Sequence, residues 1–402
     1  MRNTLPGSEM TTPLLFTPFT IRVYTCKNRI VVAPMHQYAA AHGYATDWHL
    51  MNIGRYAAGG AGMVFVESTK VDRRGCGTVG DLGLWHDDFV PGIKRLADFI
   101  RAHNAVPAIQ LGHSGRKARR FRPWEGGAPL TKAAAATEVD DWDDWELVAP
   151  SAIAGPGQDE PTPRALTLAE VQDLISMWAD AARRADEAGF DVLEIHGAHG
   201  YLLHQFLSPI ANARNDQYGG SEHNRMRMVI EVAEAIRAVW PASKPLFIRL
   251  SVEDDAGFGP DESVNLARKL RPLGVDVIDC SSGGMMGRPV DSTGPVDYGY
   301  QVPYAERLRS DVDIATMAVG LIVHADQAES ILQAGQADLI ALARELLYNP
   351  NWPMDAAQKL GVDVDFASVP DAQAYWLAKR ASGLPHVTPS TFGADQTRAH
   401  AE

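Results

Sequence analysis

Cysteine is scarce in this chain: three among 402 residues, Cys26, Cys76 and Cys280, with no C-x-x-C pair. That excludes a disulfide framework and a thiolate metal cluster, and it fits a reducing compartment. Positive charge is short as well, with 37 Lys and Arg against 50 Asp and Glu, a net charge of −13 and a pI near 5.5. The basic footprint that a phosphate backbone or an anionic membrane would require is missing, so no nucleic-acid partner is expected. No uninterrupted apolar run approaches the roughly 20 residues that cross a bilayer, and the N-terminus lacks the basic-then-apolar order of a secretory signal. The expected setting is therefore cytoplasmic, with no membrane partner. Two motifs are absent too. No G-x-G-x-x-G follows the first strand candidate, where Pro34-Met35-His36 stands instead, and there is no H-E-x-x-H. The first absence argues against an open doubly wound dinucleotide fold, the second against a helical zinc hydrolase site.

What is present reads as a soluble α/β enzyme. Apolar residues make up 46% and charged residues 22%, near the globular norm. Short apolar strands alternate with longer helical patterns, the order expected of βα units around a parallel sheet. The strand candidates are Arg29–Ala33, Gly62–Ser68, Val106–Leu111, Val192–Ile195, Leu246–Ser251, Val277–Ser281, Ile314–Val319 and Leu339–Ala343. Helical patterns follow near Trp48–Ala58, Pro91–His103, Leu168–Gly189, Asn224–Trp240, Asp261–Leu273, Tyr304–Asp311, Asp326–Ala334 and Asp355–Leu360. Thr167 with Glu170 forms a capping-box signature, and Gly189 and Gly335 suit helix C-termini. Eight units close a barrel. The spacing predicts a single (β/α)8 TIM barrel over residues 10–380, with an excursion between strand 3 and helix 3 and a C-terminal extension in which 381–402 form a flexible tail. In the excursion, from about Arg119 to Arg164, periodicity fades. Its run Asp140-Asp141-Trp142-Asp143-Asp144-Trp145 reads as a solvated face of an insertion or lid and receives no chemistry.

The chemistry concentrates where strands end. The fourth strand candidate runs into His196-Gly197-Ala198-His199-Gly200-Tyr201, which places two imidazoles and a phenol within six residues. In a turn of roughly helical pitch, positions three apart share a side, so His196 and His199 can aim ring N–H groups at one point while Tyr201 enters from another. Such a set suits a carbonyl substrate. The plainer alternative is that each histidine satisfies a backbone carbonyl. His36, Gln110, Arg249 and Arg344 also fall at the C-terminal ends of strand candidates, the face where barrel enzymes keep their sites. A metal-dependent hydrolase using His196, His199 and His204 near Glu194 is a further alternative, weakened by the lack of a second ligand cluster.

Several separated motifs together resemble the flavin-dependent ene-reductases of the Old Yellow Enzyme family, in particular the bacterial branch that includes xenobiotic reductases. They are Lys27-Asn28-Arg29-Ile30 leading to Ala33-Pro34-Met35, the run Gln110-Leu111-Gly112-His113-Ser114-Gly115-Arg116-Lys117, Ala149-Pro150-Ser151-Ala152-Ile153, the His196–Tyr201 run, Asn212 to Ser221, and Ala343-Arg344-Glu345-Leu346-Leu347. The resemblance implies a non-covalent FMN and NADPH or NADH as reductant. By position it implies that Pro34, Met35, His36, Ser68, Gln110 and Val319 line the isoalloxazine, that Arg249 faces its N1 edge, and that Gly320, Ala343 and Arg344 hold the phosphate. A cation near N1 stabilises the anionic reduced flavin, and a guanidinium suits a phosphate. His196 and His199 would bind the carbonyl oxygen of an activated alkene and Tyr201 would supply the proton, in a ping-pong cycle with hydride coming from flavin N5. Tyr38 and His36 would touch substrate. Trp376 and Arg380 belong to a segment that in this branch reaches a neighbouring subunit's site, which implies a homodimer or homotetramer; a helix packed on its own barrel is the alternative.

The chain departs from that pattern at three points. His36 stands where the branch usually has cysteine, an imidazole that can donate a hydrogen bond and carry charge next to the flavin. Ala343 replaces a glycine before the phosphate-binding arginine and adds a methyl group to a close backbone approach. Val319 stands where some relatives have tryptophan, which opens the pocket. His36 and Ala343 keep a second alternative in view, a flavin- or ligand-binding barrel without catalysis.

Overall fold

The computed structural model describes residues 12–287 and 296–386. Eight parallel strands close into a barrel: β1 (Ile30–Val32), β2 (Met63–Lys70), β3 (Val106–Gly112), β4 (Val192–Gly197), β5 (Leu246–Ser251), β6 (Val277–Ser281), β7 (Ala315–Ala318) and β8 (Leu339–Leu342), with β8 pairing back onto β1. Nearly every strand residue is buried, because inward side chains fill the barrel and outward ones meet the helices. Val31, Phe65, Ala108, Val192, Phe247, Val277, Met317 and Leu339 belong to the inner cluster. The outer helices are α1 (Asp47–Ala58), α2 (Val90–Ala102), α3 (Leu168–Glu187), α4 (Glu222–Val239), α5 (Pro260–Leu270), α6 (Val302–Val312), α7 (Ala325–Gln333) and α8 (Trp352–Lys359). The predicted barrel is therefore the observed one. The Thr167–Glu170 capping box forms, with the Thr167 amide bonded to Glu170 Oε2 at 2.8 Å.

A hairpin, Phe19–Ile21 with Tyr24–Cys26, precedes the barrel. Ile21 and Cys26 join the inner cluster, and Arg22 pairs with Asp276 at 2.8 Å just before β6. The hairpin thus seals the N-terminal end of the barrel and leaves the opposite end for chemistry. No helix among the described residues is long and apolar enough to cross a membrane.

Three expectations change. The Asp140–Trp145 run is only partly a solvated face. Trp145 is fully buried, its indole donates to the Cys76 carbonyl at 3.0 Å, and with Cys76, Leu130 and Ala135 it forms a core of the excursion's own. Arg73 grips Asp141 at 2.6 Å and lies over the Trp145 ring, so the acidic run is also a docking surface for arginine. The C-terminal extension is helical over Asp371–Gly383, past the expected boundary at residue 380, and 387–402 of the expected tail lie outside the described residues, as do residues 10 and 11 at the expected N-terminal boundary. Finally, the turn after β4 is not helical: His199 and Gly200 both adopt positive φ, +59° and +69°.

Candidate functional site

The left-handed pair at His199 and Gly200 turns the chain sharply at the end of β4, and this brings the His199 ring back beside that of His196. The ring centroids are 5.3 Å apart and nearly perpendicular. Helical spacing, the reason given by the sequence, is therefore not the cause of the convergence. Gly200 is required here, since a Cβ would meet the Gly284 carbonyl and the Lys117 ammonium. Lys117 clamps the turn from the other side, donating to the His199 carbonyl at 2.9 Å and to that of Gly284. Burial and neighbouring Arg116 bring this ammonium down to about 8.

Both imidazoles are neutral. Burial, then the neighbouring His199 and Arg249, hold His196 well below its ordinary value; burial, then Arg249 and Lys117, do the same to His199. Nδ1 of His196 accepts the Ala198 amide at 3.3 Å, which puts its proton on Nε2. Nε2 of His199 lies 2.7 Å from Ser281 Oγ on β6, a hydroxyl that can donate and leave the proton on Nδ1. His196 thus keeps an N–H that its own chain does not use, and His199 keeps one when Ser281 donates to it. Tyr201 packs against His196 at 4.8 Å, and burial holds its phenol far above the ordinary range.

The cluster continues through β1. His36 stacks on Tyr38 at 5.2 Å and meets Tyr201 edge-on at 6.3 Å. Tyr38 has φ of +54°, a conformation a bulky residue keeps only where its surroundings impose it. Neither nitrogen of His36 has a hydrogen bond, although Nδ1 stands 3.5 Å from Glu67 Oε2. Trp124 of the excursion meets Tyr38 at 5.7 Å and forms an exposed lip.

His204 belongs elsewhere. It is fully buried, takes the Gly200 amide on Nδ1 at 2.9 Å and faces Asp254 with Nε2 at 3.1 Å. It holds the turn in place and does not join His196 and His199, which removes the metal-site reading; no group of three or more potential ligands gathers among the described residues. Glu194 is likewise internal, accepting from Gln110 Nε2 at 2.8 Å.

The residues expected to hold a flavin mononucleotide lie on one rim and fit it. Pro34, Met35 and His36 follow β1, Ser68 and Gln110 lie in β2 and β3, and Val319 and Gly320 follow β7, beside Ala343 and Arg344 after β8. Arg249 is buried on β5, anchored by Asp279 at 3.2 Å, and its Nε has no partner. A guanidinium fixed on one side with a buried N–H left over suits a polar ring edge. Glu194 and Asp279 flank it. Burial, with Asp279 nearby, holds Glu194 well above the carboxylate range, and burial, opposed by Arg249, raises Asp279 as well. Gly320 has φ of +108°, and Arg344 is exposed at the start of the short helix Arg344–Tyr348. Both suit a phosphate.

Trp376 and Arg380 are not brought to this rim. The helix Asp371–Gly383 has no buried residue, Trp376 is 65% exposed, and its ring contacts are Tyr375 and Lys379. The alternative of an aromatic packed on its own barrel is therefore not what the fold contains. Sequence reasoning missed Glu67, Lys70, Ser281 and Asp279, all strand residues with partners on other elements.

Residues 14–362 match the NADH:flavin oxidoreductase / NADH oxidase family. An NADPH dehydrogenase of Geobacillus sp. strain WCH70 is 43% identical over 355 residues, covering 87% of this chain and 96% of that one. An NADH:flavin oxidoreductase of Gibberella zeae is 41% identical over 370 residues, covering 88% and 87%. Among solved structures, the old yellow enzyme homologue of Zymomonas mobilis superposes with a TM-score of 0.71 at 26% identity, covering 86% of this chain and 93% of that one.

Proposed function

Because the chain belongs to the NADH:flavin oxidoreductase / NADH oxidase family, that of the Old Yellow Enzymes, and so is an FMN-binding, NAD(P)H-dependent oxidoreductase acting on small molecules, we propose that it is an ene-reductase, which saturates the C=C bond of α,β-unsaturated carbonyl and related compounds. The observation that carries this reading is the convergence of two neutral imidazoles beside a protonated phenol.

Pro34, Met35, His36, Ser68, Gln110, Arg249 and Val319 would hold the flavin ring, and Gly320, Ala343 and Arg344 its phosphate. When bound, FMN supplies two-electron chemistry, taking hydride from NAD(P)H and passing it to an electrophilic carbon. His196 Nε2 and His199 Nδ1 donate to the substrate oxygen, and they bind it most strongly as negative charge develops there. Being neutral already, they release no proton as the pH rises through 7. Tyr201 delivers its proton to the α-carbon and regains one from water. Tyr38 and His36 shape the pocket beside them. One pocket serves both nicotinamide and alkene, so the kinetics are ping-pong. The exposed helix carrying Trp376 and Arg380 completes the mouth of a neighbouring copy in a homodimer or homotetramer, and the protein acts in the cytoplasm.

Anaerobic reduction with NADPH followed by cyclohexenone or an N-alkylmaleimide tests the activity. Return of the oxidised flavin spectrum with formation of the saturated product supports it. Failure of every activated alkene to reoxidise the flavin leaves a binding protein without this catalysis. Sedimentation of the full chain, beside a variant ending before residue 371, tests the assembly; no change in association state would remove the helix from the interface.

A further inference from the structure

Lys70, the last residue of β2, is fully buried, one of the largest side chains in the molecule without solvent contact. A register shift between Val66 and Thr69 puts an extra residue into β2 opposite β3, and such a bulge re-aims the side chains that follow. Ser68 and Lys70 share the resulting face. The ammonium sits 3.2 Å from Ser68 Oγ, 3.5 Å from Asp81 Oδ2 and 5.3 Å from the centroid of the Tyr201 ring.

A structural ion pair does not account for this. Asp81 already accepts the Gly77 amide at 2.7 Å, the Thr78 amide at 3.2 Å and the Thr78 hydroxyl at 2.8 Å, so local donors satisfy it without a cation. Burying an ammonium is costly, and an apolar side chain would fill the space more cheaply. What an apolar chain could not do is answer a negative charge on Tyr201. The groups facing that ring are Lys70, His36, His196 and, further off, Tyr38 and Asp81; His196 is held neutral.

We propose that Lys70 is a positioning residue for proton delivery, its ammonium held by Asp81 and Ser68 against the face of Tyr201 so that it stabilises the phenolate left when Tyr201 protonates substrate. This rests on the ene-reductase reading. In that step the Tyr201 O–H bond breaks, its electron pair stays on Oη, and the proton forms a C–H bond at the α-carbon of the enolate. Water later returns a proton to Oη. Lys70 keeps its three protons throughout. Its attraction to the ring grows as the phenolate forms, so it favours the transition state over the ground state.

The test uses the FMN-loaded enzyme, reduced anaerobically and mixed with a nitroalkene, whose unprotonated product, the nitronate, absorbs on its own. Flavin reoxidation reports hydride transfer; nitronate decay reports protonation. In Lys70→Met the first rate is expected within about threefold of wild type, while protonation slows about 30-fold, the size of a desolvated cation–ring contact. Lys70→Arg restores most of it. Lys70→Met/Asp81→Asn removes both charges and gives the same split if the single variant folds poorly. Tyr201→Phe must accumulate nitronate in parallel. If it does and neither Lys70 variant does, or if those variants slow hydride transfer as much as protonation, Lys70 has no such role. If Tyr201→Phe itself accumulates none, the assignment of Tyr201 fails instead.

Discussion

Replacing Glu67 by glutamine isolates the charge that ties the flavin-side histidine to the barrel wall. Glu67 is buried on β2, with Oε1 3.1 Å from His49 Nε2 and Oε2 3.5 Å from His36 Nδ1; Oε2 also accepts the Gln37 amide at 2.7 Å. His49 presents an N–H there because its Nδ1 takes the Thr46 amide at 3.0 Å. Burial alone would raise this carboxyl, but the two histidines outweigh it and bring it from 4.5 down to about 2. At about 1.36 kcal/mol per pH unit, a carboxylate so held contributes on the order of 3 kcal/mol at neutral pH. Because the folded value is depressed, that contribution is present above 4.5 and is lost as the pH falls toward 2; by pH 3.5 about 2 kcal/mol remains. Glu67→Gln keeps the shape and an acceptor for the Gln37 amide, so it removes the charge and little else. Guanidinium unfolding of both FMN-loaded proteins from pH 7.5 to 3.5 should show a gap near 3 kcal/mol that narrows with acid, a large part of the 5–15 kcal/mol that domains possess. A gap below about 1 kcal/mol at pH 7, or one that does not narrow, would refute the pairing.

His196→Ala and His199→Ala should each slow reoxidation of the reduced enzyme by cyclohexenone about 10²-fold, the worth of one oxyanion donor, with FMN still bound; a loss under fivefold in stopped-flow traces would remove them as donors. His36→Cys should shift both the midpoint potential of bound FMN and the preference among enones, and spectroelectrochemistry finding neither change would sink the role given to His36. Trp145→Ala should cost about 3–5 kcal/mol, because it empties the centre of the excursion's core and strands the Cys76 carbonyl; a thermal midpoint equal to wild type would show that this core is not coupled to the barrel.

The barrel was legible because buried parallel strands read as unbroken apolar runs between turns. Leu246–Ser251 and Val277–Ser281 appear with the bounds expected of them. Elements without a period of their own stayed hidden. The Phe19–Cys26 hairpin has strands of three residues, too short to alternate, and the helix Leu202–Leu207 is buried all round, so it has no amphipathic face. In the excursion the signal failed for another reason: its core is built from tryptophans set between aspartates, and Arg73, which pairs with Asp141 and covers Trp145, lies far away in sequence.

The site divides along the same line. Residues at strand ends could be assembled in advance, because closing the barrel gathers all of those ends on one rim whatever the details of each turn. Their partners could not. Glu67 meets His36 on the loop after β1 and His49 in α1, Asp279 meets Arg249 across the β5–β6 pair, and Ser281 meets His199 from β6, each through packing that no local pattern records. The three histidines at and after the end of β4 show the consequence. As letters, His196, His199 and His204 allow a shared metal as a weak alternative. The left-handed backbone at His199 and Gly200 separates them, setting two rings side by side and leaving His204 to bond the Gly200 amide and face Asp254. The residue that looks like a third ligand is thus a support for the other two. Removing its ring should loosen the turn and weaken both donors together, rather than release a metal.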